Sequence, residues 1–164
     1  MSTYPLDFAG GGPVTPEDLN LIIDDIQALQ AGVGAWTSYS PTIAKLTLGL
    51  GAVVAKYRQS GKLVEVKGRI TFGSGTTVDG APTISLPIAP ADGIEIDTNG
   101  AAHFYDASGS RGYGRLYYQS GPAVGFLVFA TSGAYASGVL LSATVPYTWT
   151  AGDKLEWHAT YEAA

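Results

Sequence analysis

The chain has 164 residues, no cysteine and a formal net charge of −5. This length fits one domain with a short appendage, and the missing cysteines exclude disulfides, thiol catalysis and cysteine-ligated metal sites. Only 14% of the residues are charged, against about 25% in an average soluble domain. This low charge favours a protein whose surface is partly covered by partners.

Residues 1–14 predict an extended arm rather than a regular element. They contain Gly10, Gly11 and Gly12 and show neither a strand nor a helix period. Two interpretations stay open: a disordered terminus, or a docking peptide that becomes ordered when Tyr4, Leu6 and Phe8 meet a partner. The segment lacks the features of a secretory signal, and no stretch of the chain approaches the about 18 apolar residues of a membrane span.

Residues 15–31 predict the one convincing helix. Thr15 is a favourable N-cap and Pro16 suits the first helical position. The acids at Glu17 and Asp18 complement the positive end of the helix dipole. Gly32 is typical of a helix end.

The apolar side of this helix forms a heptad seam made of Leu19, Ile22, Ile26 and Leu29. In one interpretation the helix packs on its own sheet. In the other, which we favour because glycine-rich segments flank the helix, several copies form a short parallel bundle. The predicted organisation is therefore an arm at 1–14, an oligomerising stem at 15–34 and a β domain at 35–164.

From Trp36 onwards the pattern predicts strands. A hairpin is predicted from strands at 53–58 and 63–72, and Gly68 interrupts its apolar row, which predicts a bulge or a crowded contact. Further strands are predicted at 83–86, 101–105, 113–119, 125–130, 139–144 and 154–161. Turns every 8–12 residues and no second helix predict an antiparallel β-sandwich resembling a jelly roll.

The candidate chemistry is sparse. His103 and His158 are the only histidines, and neither stands in a nucleophile or metal motif. Asp92, Glu95 and Asp97 predict a polar turn rather than a glycosidase pair or a calcium loop. We therefore expect no enzyme activity, no metal and no cofactor, and no basic run in the sequence predicts nucleic-acid binding.

One stretch predicts recognition instead. Arg111, Tyr113, Arg115 and Tyr118 combine the residue types that are enriched in binding surfaces, and a sugar or a protein would suit them. In the alternative, Tyr117 belongs to the core while Tyr113 and Tyr118 are partly exposed.

The order of several segments resembles small virion proteins of tailed phages that infect actinobacteria. The segments are TPEDLN at 15–20 with its helix, WTSYSPT at 36–42, YRQSGKLV at 57–64, ISLP at 84–87 and YTWTAGDKL at 147–155. The resemblance covers residues 13–164 and leaves the arm unmatched.

This resemblance implies a non-enzymatic homotrimer with a helical stem and an outward β-sandwich knob, in which Leu19, Ile22, Ile26 and Leu29 line the three-fold axis. The proteins that the chain resembles include head-fibre, capsid-decoration and minor tail proteins. A helix of about 26 Å suits a knob close to the shell, so capsid decoration or a short head fibre ranks first. A minor tail or receptor-binding protein is the alternative, and a carbohydrate-binding module or glycan hydrolase is a distant one. The expected partners are the chain itself, a major capsid or tail protein and a host-surface glycan, and the expected location is the virion surface.

Overall fold

The computed structural model describes residues 15–32, 34–132 and 135–164, with the backbone alone at 28–32, 132 and 135. The chain divides into two compact units, Met1–Gly34 and Ala35–Ala164. The predicted docking residues Tyr4, Leu6 and Phe8 lie outside the described residues.

The first unit contains the helix α1 (Pro16–Gly32). A reciprocal capping box begins it: the backbone N–H of Thr15 donates to Asp18 Oδ2 (2.9 Å), and the N–H of Asp18 donates to Thr15 Oγ1 (3.2 Å). The hydrogen bond from the Thr15 backbone, followed by that from its hydroxyl, lowers the pKa of Asp18. Within the described residues, no helix has the length and apolar character needed to cross a membrane.

The second unit contains ten strands and the short helix α2. Their bounds are β1 Thr37–Tyr39, β2 Ile43–Thr47, β3 Ala52–Ser60, β4 Leu63–Thr71, β5 Thr77–Ser85, α2 Ile94–Asn99, β6 Ala101–Tyr105, β7 Arg111–Ser120, β8 Ala123–Ser132, β9 Tyr135–Leu140 and β10 Lys154–Glu162.

All strands belong to one sheet with the order β1-β3-β4-β10-β6-β7-β8-β5-β2, and β9 pairs with β8 beside this path. Every pairing is antiparallel. The sheet curls into a half-barrel. The predicted mainly antiparallel β class is thus confirmed, whereas the arrangement as a two-sheet jelly roll stays a prediction.

The core lies on the inner face of the curled sheet. The alternation predicted in β4 and β10 is confirmed, because Val64, Val66, Leu155 and Ala159 are fully buried. Gly68 also faces inward, directly across from Trp157. A Cβ at Gly68 would lie 2.1 Å from Cζ2 of Trp157, so the crowded contact is the reason for this glycine.

Two expectations need correction, and two strands were missed. Residues 94–99 form α2 rather than a turn, because Asp92 Oδ1 accepts the N–H of Ile94 (2.9 Å) and the buried Ile96 anchors the short helix. The strand predicted at 139–144 ends earlier, at Leu140, because Leu141 leaves β9 and is fully buried. The strands β1 and β2, which are short, were not predicted.

Candidate recognition face

The side of the sheet that points away from the core carries the most concentrated set of charged and aromatic groups that the structure describes. We call it the outer face and define it by sixteen outward residues of β3, β4, β10, β6 and β7. These are Val54, Lys56, Arg58, Glu65, Lys67, Arg69, Lys154, Glu156, His158, Ala101, His103, Tyr105, Arg111, Tyr113, Arg115 and Tyr117. Thr160 and Glu162 continue the same side towards the end of β10.

Three of the four predicted recognition residues lie together on this face. Arg111, Tyr113 and Arg115 alternate along β7 and are exposed. Tyr118 points to the other side, where it packs against the core and covers Gly93. The parity of the strand decides this difference, since Tyr118 is an odd number of residues from the other three. Of the adjacent pair, Tyr117 rather than Tyr118 lies on the outer face, with its ring over Gly125.

Both histidines of the chain line one shallow depression of about 140 Å³ on the outer face. Its other lining residues are Ala101, Glu156 and Trp157. The register explains the depression: Ala101 pairs with His158 and His103 pairs with Glu156, so the small side chain of Ala101 leaves space between larger neighbours. The exposed ring of Tyr113 meets the ring of His103 edge-on, with 5.3 Å between ring centroids.

A row of cross-strand neighbours without any acid runs through this depression. The register places Lys56 beside Lys67, Lys67 beside His158, His158 beside Ala101, and Ala101 beside Arg115. We call these five positions the cationic row. They span the five strands from β3 to β7, about 19 Å at about 4.8 Å per strand interval. Like charges directly opposite one another destabilise a sheet, so the Lys56–Lys67 pair opposes folding.

The rows on either side contain matched ion pairs. Arg69 Nε lies 2.6 Å from Glu156 Oε1, and Arg58 Nε donates to Glu65 Oε2 at 2.6 Å. Desolvation raises the pKa of Glu65, but hydrogen bonds and attraction from Arg58 and His158 outweigh it and lower the pKa overall. His158 Nε2 lies 3.4 Å from Glu65 Oε1. Glu65 and Glu156 are therefore each paired with an arginine.

Cations of the outer face also stack on aromatic rings. Lys67 Nζ lies 3.9 Å from the centroid of the Trp36 ring, and the Arg111 guanidinium lies 3.7 Å from that of Tyr105. Such stacking neutralises no charge. In the part of the chain that the structure describes, no carboxylate oxygen lies within 4.0 Å of the side-chain nitrogens of five outer-face cations, which are Lys56, Lys67, Lys154, Arg111 and Arg115.

The carboxylates around α2 serve the backbone. Asp97 Oδ1 accepts the N–H of Tyr118 (2.7 Å), and Glu95 Oε2 accepts the N–H of Glu162. Together with the contact from Asp92 to Ile94, these bonds fix α2 against β7 and β10. The three acids thus have structural roles that account for their clustering. No group of three or more metal-ligating side chains suited to a metal ion occurs among the described residues.

Two of the four predicted seam residues of α1 have exposed side chains. Leu19 is 52% exposed and Ile26 is 47% exposed, whereas Ile22 is half-buried. The side chain of Leu29 lies outside the described residues. A helix with such a seam presents an apolar surface for a partner.

Comparisons with known proteins add no relative. No family model, no curated protein and no solved structure matches the chain.

The arrangement on the outer face is suited to binding. It combines unpaired cations, hydrogen-bonding imidazoles and a carboxylate around a shallow depression, and an exposed tyrosine flanks it. Sequence reasoning found the β7 part of this face, because its arginines and tyrosines are adjacent in the chain. It missed the cationic row, whose members are spread from residue 56 to residue 158 and meet only through strand register.

Proposed function

We propose that this protein is a non-enzymatic structural component of a phage particle, a homotrimeric capsid decoration protein or short head fibre. The N-terminal arm attaches it to the major particle protein through Tyr4, Leu6 and Phe8, α1 joins three copies, and the β domain, proposed as a jelly-roll-like knob, faces outward at the virion surface.

The observation that carries the proposal is the exposed seam of α1. Apolar side chains such as Leu19 and Ile26 lose about 1.5–3 kcal/mol each when they stay in water instead of becoming buried. Three helices around one axis would bury them. A stem of two heptads is too short to associate alone, so the proposal requires that the β domain or the arm adds to the assembly.

A specific observation favours the alternative, a minor tail or receptor-binding protein. The outer face carries Arg111, Tyr113 and Arg115 beside a depression, and residues of these types contribute most of the binding energy at many interfaces. A decoration protein that only stabilises a shell does not need such a face. Decoration remains first because the stem is short.

The stem is tested by Ile22→Asp combined with Ile26→Asp. These substitutions place unpaired charges in the proposed seam, which an oligomer core cannot solvate, so sedimentation should show the 17.0 kDa chain in place of its trimer. The matched control is Asn20→Asp with Gln27→Asp, which adds the same charge at exposed positions off the seam. A double seam variant that sediments like this control would contradict the role of α1.

The attachment is tested by deleting residues 2–12 and by locating the protein on particles. The truncated protein should remain a trimer and fail to join particles, because the arm supplies the contacts. Gold-labelled antibody against residues 36–164 should mark the heads. Label on the tail alone would favour the alternative, and full occupancy by the truncated protein would refute docking through the arm.

A further inference from the structure

We infer that the outer face is a binding site for an acidic polysaccharide, a chain of sugars bearing carboxylates, which lies along the cationic row. This names the ligand class for the recognition surface that favours the alternative, a minor tail or receptor-binding protein, and it rests on that role of the face. It does not depend on where in a particle the protein is located.

Positive charge is concentrated on one face of the β domain. Six Lys or Arg side chains lie in three adjacent rows of the outer face, and Glu156 is the one acid among them: the bases are Lys56, Lys67, Arg69, Lys154, Arg111 and Arg115. Of the other described acids of this unit, Glu65 lies in the next row, where Arg58 and His158 pair with it. Glu162 lies at the end of β10 beside Lys62, and the rest lie in α2, in turns, on β5 or in the core. Because this unit holds equal numbers of acids and bases, the positive face is produced by folding rather than by composition.

The cationic row contains an unfavourable pair of like charges, formed by two lysines. Lys56 and Lys67 are direct cross-strand partners, although a carboxylate at either position would complete an ion pair as it does in the neighbouring rows. A like-charge pair is retained at a cost in stability. An elongated anion above the row would reduce this cost, since its charge would attract both lysines.

The length of the row and its neighbouring groups indicate the kind of anion. The row is about 19 Å long, so it suits a chain and not a single ion. Next to it, His103, Glu156 and Tyr113 supply hydrogen-bonding groups and an exposed ring. Glu156 accepts hydrogen bonds, which sugar hydroxyls can donate. A phosphodiester backbone has no such donor, so these hydrogen-bonding groups favour a glycan over a nucleic acid.

The test measures binding of the purified full chain to polygalacturonate, to neutral dextran and to a DNA duplex. We expect binding to polygalacturonate at low salt that disappears near about 0.5 M salt, where the Debye length falls to a few ångströms. Dextran should not bind. Equal binding of dextran, or tighter binding of the duplex, would overturn the inference.

The decisive variant is Lys56→Gln with Lys67→Gln. These substitutions remove two exposed ion pairs between the lysines and the polysaccharide, which should weaken binding about tenfold. The control is Lys45→Gln with Lys62→Gln, which removes the same charge from exposed positions outside the cationic row and should bind like the unchanged chain. Equal affinities for the two variants would refute a site on the row.

Two further readings separate this inference from misfolding and from the proposed function. The Tm of the Lys56→Gln, Lys67→Gln variant should stay the same or rise, because the substitutions relieve repulsion. If the Tm falls so far that the variant is partly unfolded in the binding assay, unfolding explains the lost binding, and this outcome would count against the site. The variant should still join particles through its arm, so that glycan binding and attachment fail independently.

Discussion

Replacing Gly68 by alanine would place a methyl group inside the space of the Trp157 indole. The added Cβ would lie 2.1 Å from Cζ2 and 2.6 Å from Cε2, whereas ordinary contacts begin near 3.4 Å. The indole cannot simply swing outward, because Trp157 is only 3% exposed and packs against Phe126 with 6.2 Å between ring centroids. Either the ring or the strand must shift.

The size of the effect follows from two opposing terms. Overpacking a filled core costs about 1–3 kcal/mol, and the severity of this overlap places Gly68→Ala near the upper end. Replacing glycine in a strand returns about 0.5–1 kcal/mol through the unfolded chain. We expect a net loss of about 2 kcal/mol in the free energy of unfolding, and thus a Tm lower by about 4–8 °C.

The matched control is Gly138→Ala in β9. Its added Cβ would meet Leu127 at 3.7 Å, an ordinary contact, so this variant should be as stable as the unchanged chain or more stable. A double-mutant cycle then locates the cause. Combined with Trp157→Leu, Gly68→Ala should cost at least about 1 kcal/mol less than it does alone, because the smaller side chain leaves room for the methyl group. Urea denaturation followed by circular dichroism measures all five proteins, the four of the cycle and the control. Equal stability of Gly68→Ala and Gly138→Ala, or strict additivity with Trp157→Leu, would refute the steric explanation.

Two other predictions test the β domain. Asp153 is fully buried and its carboxylate accepts the N–H groups of Thr150 (2.6 Å) and Ala107 (2.9 Å), so Asp153→Ala should lower the free energy of unfolding by about 3 kcal/mol in urea denaturation. Asp79→Ala is the control at an exposed position, and equal losses would contradict this role. Burial raises the pKa of Tyr39 to about 12. Because the folded state disfavours the ionised hydroxyl, the stability that the neutral Tyr39 contributes is complete below pH 10 and is lost between about pH 10 and 12. This loss lowers the free energy of unfolding by about 2–3 kcal/mol. Tyr39→Phe should reduce the alkaline loss of stability by this amount in denaturation series from pH 9 to 12, and an unchanged series would show that Tyr39 ionises at its ordinary pKa.

Patterns that act over a few residues could be predicted from the sequence. The capping box at Thr15 and the apolar spacing of Leu19 and Ile26 depend on contacts within one or two helical turns. The alternation of Leu155, Trp157, Ala159 and Tyr161 depends on the two-residue period of a strand. For this reason the sequence could predict the helix, the mainly antiparallel class and the buried sides of β4 and β10.

Local patterns failed where two faces of an element compete or where a short segment has weak propensity. The tyrosines at 117 and 118 are chemically equivalent, and only the parity of β7 relative to the core places Tyr117 outward and Tyr118 inward. The α2 residues alternate apolar and acidic side chains, which resembles a polar turn until the buried Ile96 and the bonds to Asp97 and Glu95 are known.

By itself, the sequence determined the class of the fold, the start of α1 and the apolar spacing along it, because each depends on neighbours along the chain. The tertiary structure alone decided the single curled sheet and its outer face. Lys56, Lys67, Arg115 and His158 are far apart in sequence and become neighbours only through antiparallel register. Since a shift of one residue would turn each side chain to the opposite face, the positive charge of that face is a property of strand pairing and not of any segment of the chain.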